Sequence, residues 1–229
     1  MARQPYFTRE AFGFLVDLSH NNNKEWFLEN KGRFEKHLRD PFLALIGDLV
    51  TPVRGISKHL VVDARAHGGS MMRIHRDTRF SKDKSPYKTN VAAQFEHAKG
   101  GDGAAPGLYL HLAPGGSATG AGIWHPEPVA LKQIRDAIVA KPKAWQAAVR
   151  DRAFKSGCGF IGESLKRPPA GYDPSHPLVE DLKRKDFAIS IALSDKQVFG
   201  AGLLDDVVDA FHEQARFLRF VVEALGLPP

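Results

Sequence analysis

Cysteine and long hydrophobic runs are nearly missing from this sequence. One cysteine, Cys158, stands among 229 residues, so the chain can form no internal disulfide. No apolar run reaches the roughly 20 residues that a membrane-spanning helix needs. The polar start, 1–5, is followed by no apolar stretch of the secretory type. These absences predict a soluble cytoplasmic protein that has no membrane partner.

The chain also lacks the short signatures of several enzyme classes. It contains no phosphate-loop GK[ST] and no HExxH, and its nearest approach to a GxSxG elbow, at 115–119, fails at the last position. The glycines of 120–125 fit a dinucleotide fingerprint poorly, because the third glycine would fall at His125. The sequence therefore predicts no particular reaction and no particular cofactor.

Positive charge is concentrated in one short segment of the chain. Lysine and arginine number 32 against 26 acidic residues, for a net charge of +6. The range 73–88, which we call the basic segment, holds six cations against two acids and so carries +4 of that total. Its cations are Arg73, Arg76, Arg79, Lys82, Lys84 and Lys88. This concentration favours an anionic partner, either a small molecule or a nucleic acid.

The basic segment has residue types that suit an anion. Arginine presents a planar pair of donors to phosphate or carboxylate oxygens, and lysine presents a mobile point charge. We therefore expect the six cations to bind a phosphate or carboxylate group, with Asp77 orienting an arginine or acting as a base. We expect Phe80 and Tyr87 to anchor the segment in the core, although both could instead stack on a nucleobase. The alternative is that Asp77 and Asp83 neutralise the cations of a solvated loop.

The apolar spacing separates a helical part of the chain from a part rich in strands. Apolar residues recur at helical intervals through the first part, which predicts a helical layer over 1–53, with Asn22 capping its second helix. Alternation of apolar and polar residues predicts a hairpin sheet with the basic segment as a loop over 60–125. The strands of that sheet are expected at 72–74, 88–95, 107–112 and 117–124.

Helices and further strands are expected in the remainder, 126–229. Its clearest elements are a strand at 187–193 and a long amphipathic helix at 205–225. Because helices and hairpins are segregated rather than alternating as βαβ units, the sequence predicts an α+β fold. We expect a single domain over 1–229, with a mainly antiparallel sheet backed by N-terminal, central and C-terminal helices.

Three histidines are candidates for chemistry. His75, His111 and His125 lie on or next to predicted strands, and they could approach one another if those strands are neighbours. They would then supply a general base or bind a metal. Scattered histidines are more often structural, so we predict no metal site. Cys158 has no flanking base and is expected to be a buried small residue.

Three stretches resemble the signature of one protein family. They are RIHRDTRFSKDKSPYKTN at 73–90, GLYLHLAPGGSATGAGIWHP at 107–126 and KRPPAGYDPSHPLVEDLKRKDF at 166–187. On these residues the chain is similar to domain of unknown function 2461 over nearly its whole length. The resemblance implies one domain of common fold and implies no substrate. An aromatic is usual in that family where His75 stands, so His75 either adds a titratable group to the basic segment or packs as the aromatic would.

The leading hypothesis is a site for a phosphate-bearing ligand or nucleotide on the basic segment. A nucleic-acid-binding module is the first alternative, and it needs a basic face that extends past the segment. The second alternative is an interaction domain whose loop pairs with an acidic partner. These three hypotheses differ in whether Arg76, Arg79 and Lys88 converge on a cavity.

Overall fold

Alternating apolar residues build an antiparallel sheet in the computed structural model, which describes residues 4–79, 81–100, 105–150, 154 and 157–229. Within those residues the sheet has five strands in the order β1-β2-β3-β5-β4, and every pairing is antiparallel. The strands are β1 (Val91–Glu96), β2 (Gly107–Leu112), β3 (Ser117–Ile123), β4 (Gly159–Ile161) and β5 (Phe187–Leu193).

Helices precede, interrupt and follow these strands, which confirms the predicted α+β fold. A π-helical turn over Glu35–Arg39 joins the third helix to the fourth. No helix in the described part of the chain is long and apolar enough to cross a membrane. The described helices are α1 (Arg9–His20), α2 (Lys24–Glu29), α3 (Lys31–Phe34), α4 (Asp40–Ile56), α5 (Pro128–Ala140), α6 (Pro142–Val149), α7 (Val179–Leu182), α8 (Asp195–Val198) and α9 (Leu203–Ala224).

The inner face of the sheet carries the hydrophobic core. Leu108, Leu110 and Leu112 alternate along β2 and are completely buried, as the sequence pattern predicts. The long helix α9 packs against this face, where Phe211 meets Phe95 of β1 edge-on with 5.9 Å between ring centroids. Burial of such apolar side chains is the main favourable term in folding.

The outer face of the sheet is built from smaller and more polar residues. Tyr109 and His111 project from β2 on this side, and both are half-buried. Tyr109 pairs with Gly120 of β3, and His111 pairs with Ala118. Because these β3 partners have small side chains, Tyr109 and His111 project beyond their neighbours on this face. The sheet therefore presents two polar side chains beside the end of the basic segment.

The basic segment is not framed by two regular strands. Isolated bridges join Met71 to Ala93 and His75 to Tyr87, in place of the strand predicted at 72–74. Ile74 is buried as expected, but Met72 is 37% exposed. The two ends of the segment are still hydrogen-bonded to each other, because the Lys88 N–H donates to the Ile74 carbonyl at 2.8 Å. Phe80, predicted as an anchor, lies outside the described residues.

Candidate functional site

A cavity of about 480 Å³ opens between the basic segment and the outer face of the sheet. Its polar wall comes from the basic segment and the residues that lead into β1, and its apolar wall comes mainly from the sheet. The lining residues are Met72, Arg76, Asp77, Lys88, Thr89, Asn90, Ala92 and Tyr109. Arg76, Asp77 and Lys88 are residues that the sequence singled out, and the other five are not.

Among the described residues, no acid neutralises Lys88, which is one of the two cations that line this cavity. Its side chain makes no ion pair with any residue in the described ranges, and it is partly buried. Burial lowers the pKa of Lys88 from its ordinary value, and the positive charge of nearby Arg73 lowers it further. Both effects disfavour the ammonium form. A negative ligand in the cavity would counter both.

Arg76 also lines the cavity, but an acid holds it. Its Nη1 donates to the Asp83 carboxylate. Asp83 in turn accepts from the hydroxyl of Ser85 at 2.6 Å and from its N–H at 2.9 Å. The Ser85 hydrogen bonds, with the Arg76 guanidinium, lower the pKa of Asp83 to about 2. Arg76 is therefore positioned at the cavity wall by a carboxylate that stays ionised at neutral pH.

Asp77 and Arg79 form an ion pair with each other within the loop. The Arg79 Nη2 lies 2.7 Å from the Asp77 Oδ2, and the Arg79 N–H donates to Oδ1 at 3.2 Å. The Arg79 guanidinium and N–H together lower the pKa of Asp77 to about 2. So weakly basic a carboxylate is a poor general base at neutral pH, and Asp77 orients Arg79 instead. Arg79 is not among the lining residues.

The other cations of the basic segment lie outside the cavity wall. Lys84 Nζ donates to the Thr78 carbonyl at 2.9 Å, which closes the tip of the loop. Arg73 and Lys82 are exposed. Arg73 acts on the cavity only through its charge, which it places near Lys88. Of the three cations expected to converge, Arg76 and Lys88 therefore share the cavity and Arg79 does not.

Contacts with the N-terminal helices hold the basic segment in place. Tyr87 stacks on Phe27 of α2 with 4.2 Å between ring centroids, and it is 4% exposed, as expected of a core anchor. His75 lies against the same pair, 5.1 Å from the Tyr87 ring. His75 is absent from the residues that line the cavity. Its side chain is exposed, and its ring contacts are with Tyr87 and Phe27, which favours the structural alternative for His75.

Asn22 provides the second anchor, and the sequence misassigned it. Asn23, not Asn22, caps α2, since its side chain accepts from the Trp26 N–H at 3.0 Å. The Asn22 amide instead donates to the Tyr87 carbonyl and accepts from the Tyr87 N–H, both at 3.0 Å. These bonds fix the main chain one residue before Lys88.

The outer face of β2 adds Tyr109 to the cavity wall, with His111 beside it. The Tyr109 hydroxyl lies 3.2 Å from the His111 Nδ1. Burial raises the pKa of Tyr109 and lowers that of His111, so both groups favour their neutral forms. His111 was predicted as a candidate from the sequence and Tyr109 was not, although the alternation along β2 places both on one face.

The three candidate histidines are not brought together. His111 pairs with Ala118, and His125 follows β3 seven residues further along, on the order of 20 Å at the rise of a strand. Among the described residues, no group of three or more His, Cys, Asp or Glu side chains is arranged to hold a metal. Cys158 is buried, and burial raises its pKa to about 11, which makes it a poor nucleophile.

A family model described as "Conserved hypothetical protein (DUF2461)" matches residues 10–220 of the chain. The match includes the cavity, the basic segment and both of its anchors. The comparisons with curated proteins and with solved structures found no match.

Proposed function

Because the chain belongs to the DUF2461 family of conserved hypothetical proteins, whose description assigns no activity, we propose a function from the cavity alone. We propose that the protein binds a phosphate-bearing small molecule, a class that includes nucleotides, in the cavity beside Lys88. The observation that carries the proposal is the position of Lys88. It is a partly buried lysine, without an acid partner in the described ranges, in the wall of an open cavity.

Electrostatics favour an anion at this position. The burial of Lys88 and the charge of Arg73 both oppose the ammonium form, and no acid in the described part of the chain pairs with Lys88 to offset this cost. A phosphate group beside Lys88 would stabilise the charged form and accept its hydrogen bonds. Arg76 can contribute as well, because a guanidinium has five N–H donors and Asp83 engages Nη1.

The size and walls of the cavity favour an organic phosphate over the inorganic ion alone. Its volume of about 480 Å³ falls among cavities that hold small organic ligands. Met72, Ala92 and Tyr109 add apolar surface to its lining. We therefore propose that the phosphate contacts Lys88 and Arg76 while the rest of the ligand packs against Tyr109.

The charge distribution argues against a long polymer ligand. The basic segment carries +4 of the net charge of +6, so little excess charge remains to extend a groove. Within the segment, Arg76 and Arg79 already pair with Asp83 and Asp77. A nucleic-acid module would need several unpaired cations along one face, and its affinity would fall steeply with salt.

The direct test is thermal unfolding against a panel of phosphorylated metabolites, inorganic phosphate and sulfate. We expect at least one organic phosphate to raise the Tm by about 3–6 °C at about ten times its Kd. Lys88→Met should abolish this shift, and Lys82→Met, the matched exposed control, should retain it. A wild-type Tm that no compound moves would contradict the proposal. Tight binding of single-stranded DNA that depends equally on Lys82 and Lys88 would instead indicate the nucleic-acid module.

A further inference from the structure

His125 and Asp186 meet where β3 ends and β5 begins, away from the cavity at Lys88. His125 lies two residues after β3, and Asp186 immediately precedes β5. Ile123 pairs with Phe187, so the ends of these two strands are adjacent. The Nδ1 atom of His125 lies 3.3 Å from the Oδ1 atom of Asp186.

Asp186 is a buried carboxylate that the main chain fixes in place. Its side chain is 1% exposed. Oδ1 accepts from the His125 N–H at 2.9 Å, and Oδ2 accepts from the Glu163 N–H at 3.0 Å. The approach requires glycine at 162, because a Cβ there would lie 2.4 Å from Oδ2 and the φ angle of Gly162 is +95°. The two main-chain hydrogen bonds therefore hold the carboxylate next to His125.

His125 combines a constrained backbone with an exposed side chain. It has a φ angle of 49°, the sole positive value for a non-glycine residue within the described ranges. Its side chain is 72% exposed, and its Nδ1 lies 3.3 Å from Asp186 Oδ1, the oxygen that also accepts from the His125 N–H. A carboxylate at Nδ1 favours the proton on that nitrogen, which leaves the lone pair of Nε2 available to solvent. Histidine next to an orienting carboxylate is the arrangement that many enzymes use to activate an imidazole.

We propose that His125 is a nucleophile toward neutral acyl compounds, chiefly esters that carry an apolar group. Charge selects this class over phosphate esters, because the Asp186 carboxylate lies beside His125 and would repel a phosphate. The neighbouring cation, Lys185, is already paired with Glu163 at 2.8 Å. An apolar surface is available, since Trp124 is 47% exposed and its ring lies 5.0 Å from that of His125.

The reaction balances without a cofactor. Nε2 attacks the carbonyl carbon and forms a C–N bond, while the ester C–O bond breaks and its electron pair leaves with the alkoxide or phenolate. The resulting acylimidazolium keeps its Nδ1 proton, which Asp186 stabilises. Water then attacks the acyl carbon, and the products are a carboxylate, two protons and neutral His125. An alkoxide leaving group takes up one of these protons and becomes the alcohol.

The alternative is that the contact between His125 and Asp186 is purely structural and connects the chain at 125 to the turn at 163. An ion pair with so exposed a histidine adds little stability. The main-chain bonds to Asp186 would perform that structural role without any imidazole. Removal of the imidazole therefore separates the two interpretations. If its role is purely structural, the rate of ester cleavage should not change.

The test is the release of p-nitrophenolate from p-nitrophenyl acetate by the full chain. We expect His125→Gln to lower the rate at least about tenfold, because the Gln amide is no nucleophile. The matched control His212→Gln, at an exposed helical histidine, should retain the wild-type rate. p-Nitrophenyl phosphate should release nothing at His125.

Two further readouts bear on the geometry itself. Imidazole ¹⁵N shifts should show His125 with its neutral proton on Nδ1, and Trp124→Ala should raise KM for apolar esters more than it lowers kcat. If His125→Gln retains more than about half the wild-type rate, or if His212→Gln loses as much, the proposal is wrong. A neutral His125 that carries its proton on Nε2 would overturn it as well.

Discussion

The side-chain amide of Asn22 makes two hydrogen bonds with the main chain of Tyr87, 65 residues away in sequence. One is donated to the Tyr87 carbonyl and the other is accepted from the Tyr87 N–H, each at 3.0 Å. The turn between α1 and α2 therefore holds the residue that precedes Lys88. The helical layer and the cavity are coupled through this contact.

Replacement of Asn22 should destabilise the fold locally and measurably. Asn22→Ala leaves the N–H and carbonyl of the buried residue Tyr87 without these partners, which costs about 1–3 kcal/mol. The free energy of unfolding in urea is the measurement, and Lys82→Ala, at an exposed site in the same segment, should stay within about 0.5 kcal/mol of wild type. Equal effects of the two substitutions would show that the amide does not hold the segment.

Lys88 should be unfavourable for stability in the absence of ligand. Lys88→Met keeps the length of the side chain and removes the uncompensated charge, so we expect the free energy of unfolding to rise by about 0.5–1 kcal/mol. Lys82→Met, at an exposed site, should change it little. A clear loss of stability in Lys88→Met would mean that Lys88 has a compensating partner and that its charge is not available to a ligand.

The Asp83 carboxylate should make stability depend on acid pH. Its pKa is depressed to about 2, chiefly by the Ser85 hydroxyl and N–H and then by Arg76, from about 3.9 in the unfolded chain. Its contribution is therefore present above about pH 4 and is lost as pH falls toward about 2. The Tm difference between wild type and Asp83→Asn should shrink across that window. A difference that grows on acidification would contradict the ionised pair.

Gly122 should tolerate no side chain, in contrast to Gly13. A Cβ at Gly122 would lie 2.1 Å from the Phe187 carbonyl oxygen, and the φ angle is +118°, so Gly122→Ala should cost several kcal/mol or prevent folding. Gly13 lies in α1 with no heavy atom within 4 Å of a built Cβ. Gly13→Ala should therefore raise the free energy of unfolding by about 0.5–1 kcal/mol. Denaturant titrations that give both changes the same sign would contradict the close pairing of β3 with β5.

The sheet was predictable where local alternation decides burial. Leu108, Leu110 and Leu112 face the core because side chains of a strand alternate between faces, whatever the neighbouring strands are. The strand expected at 72–74 did not form as a regular element. The Arg76 N–H instead donates a hydrogen bond across the loop to the Pro86 carbonyl. The charged residues between them do not alternate with apolar residues as a strand would require.

The site was predictable in its charge but not in its partners. The excess of cations over 73–88 identified the cavity wall at Arg76 and Lys88. Which cation remains unpaired depends on distances that residue order does not contain, such as that between Arg79 and Asp77. Asn22 and Tyr109 were missed because their roles arise from contacts between distant parts of the chain.

The proposal that Lys88 binds an anion is tested most directly by NMR of its Nζ and side-chain methylene groups during titration with an organic phosphate. The account predicts saturable shifts at Lys88, Asn90 and Tyr109 by about 10 mM ligand, and a rise in the pKa of Lys88 as the anion offsets its burial. Lys82 should move little. Shifts that never saturate, or that are as large at Lys82 as at Lys88 with the pKa of Lys88 unchanged, would contradict it.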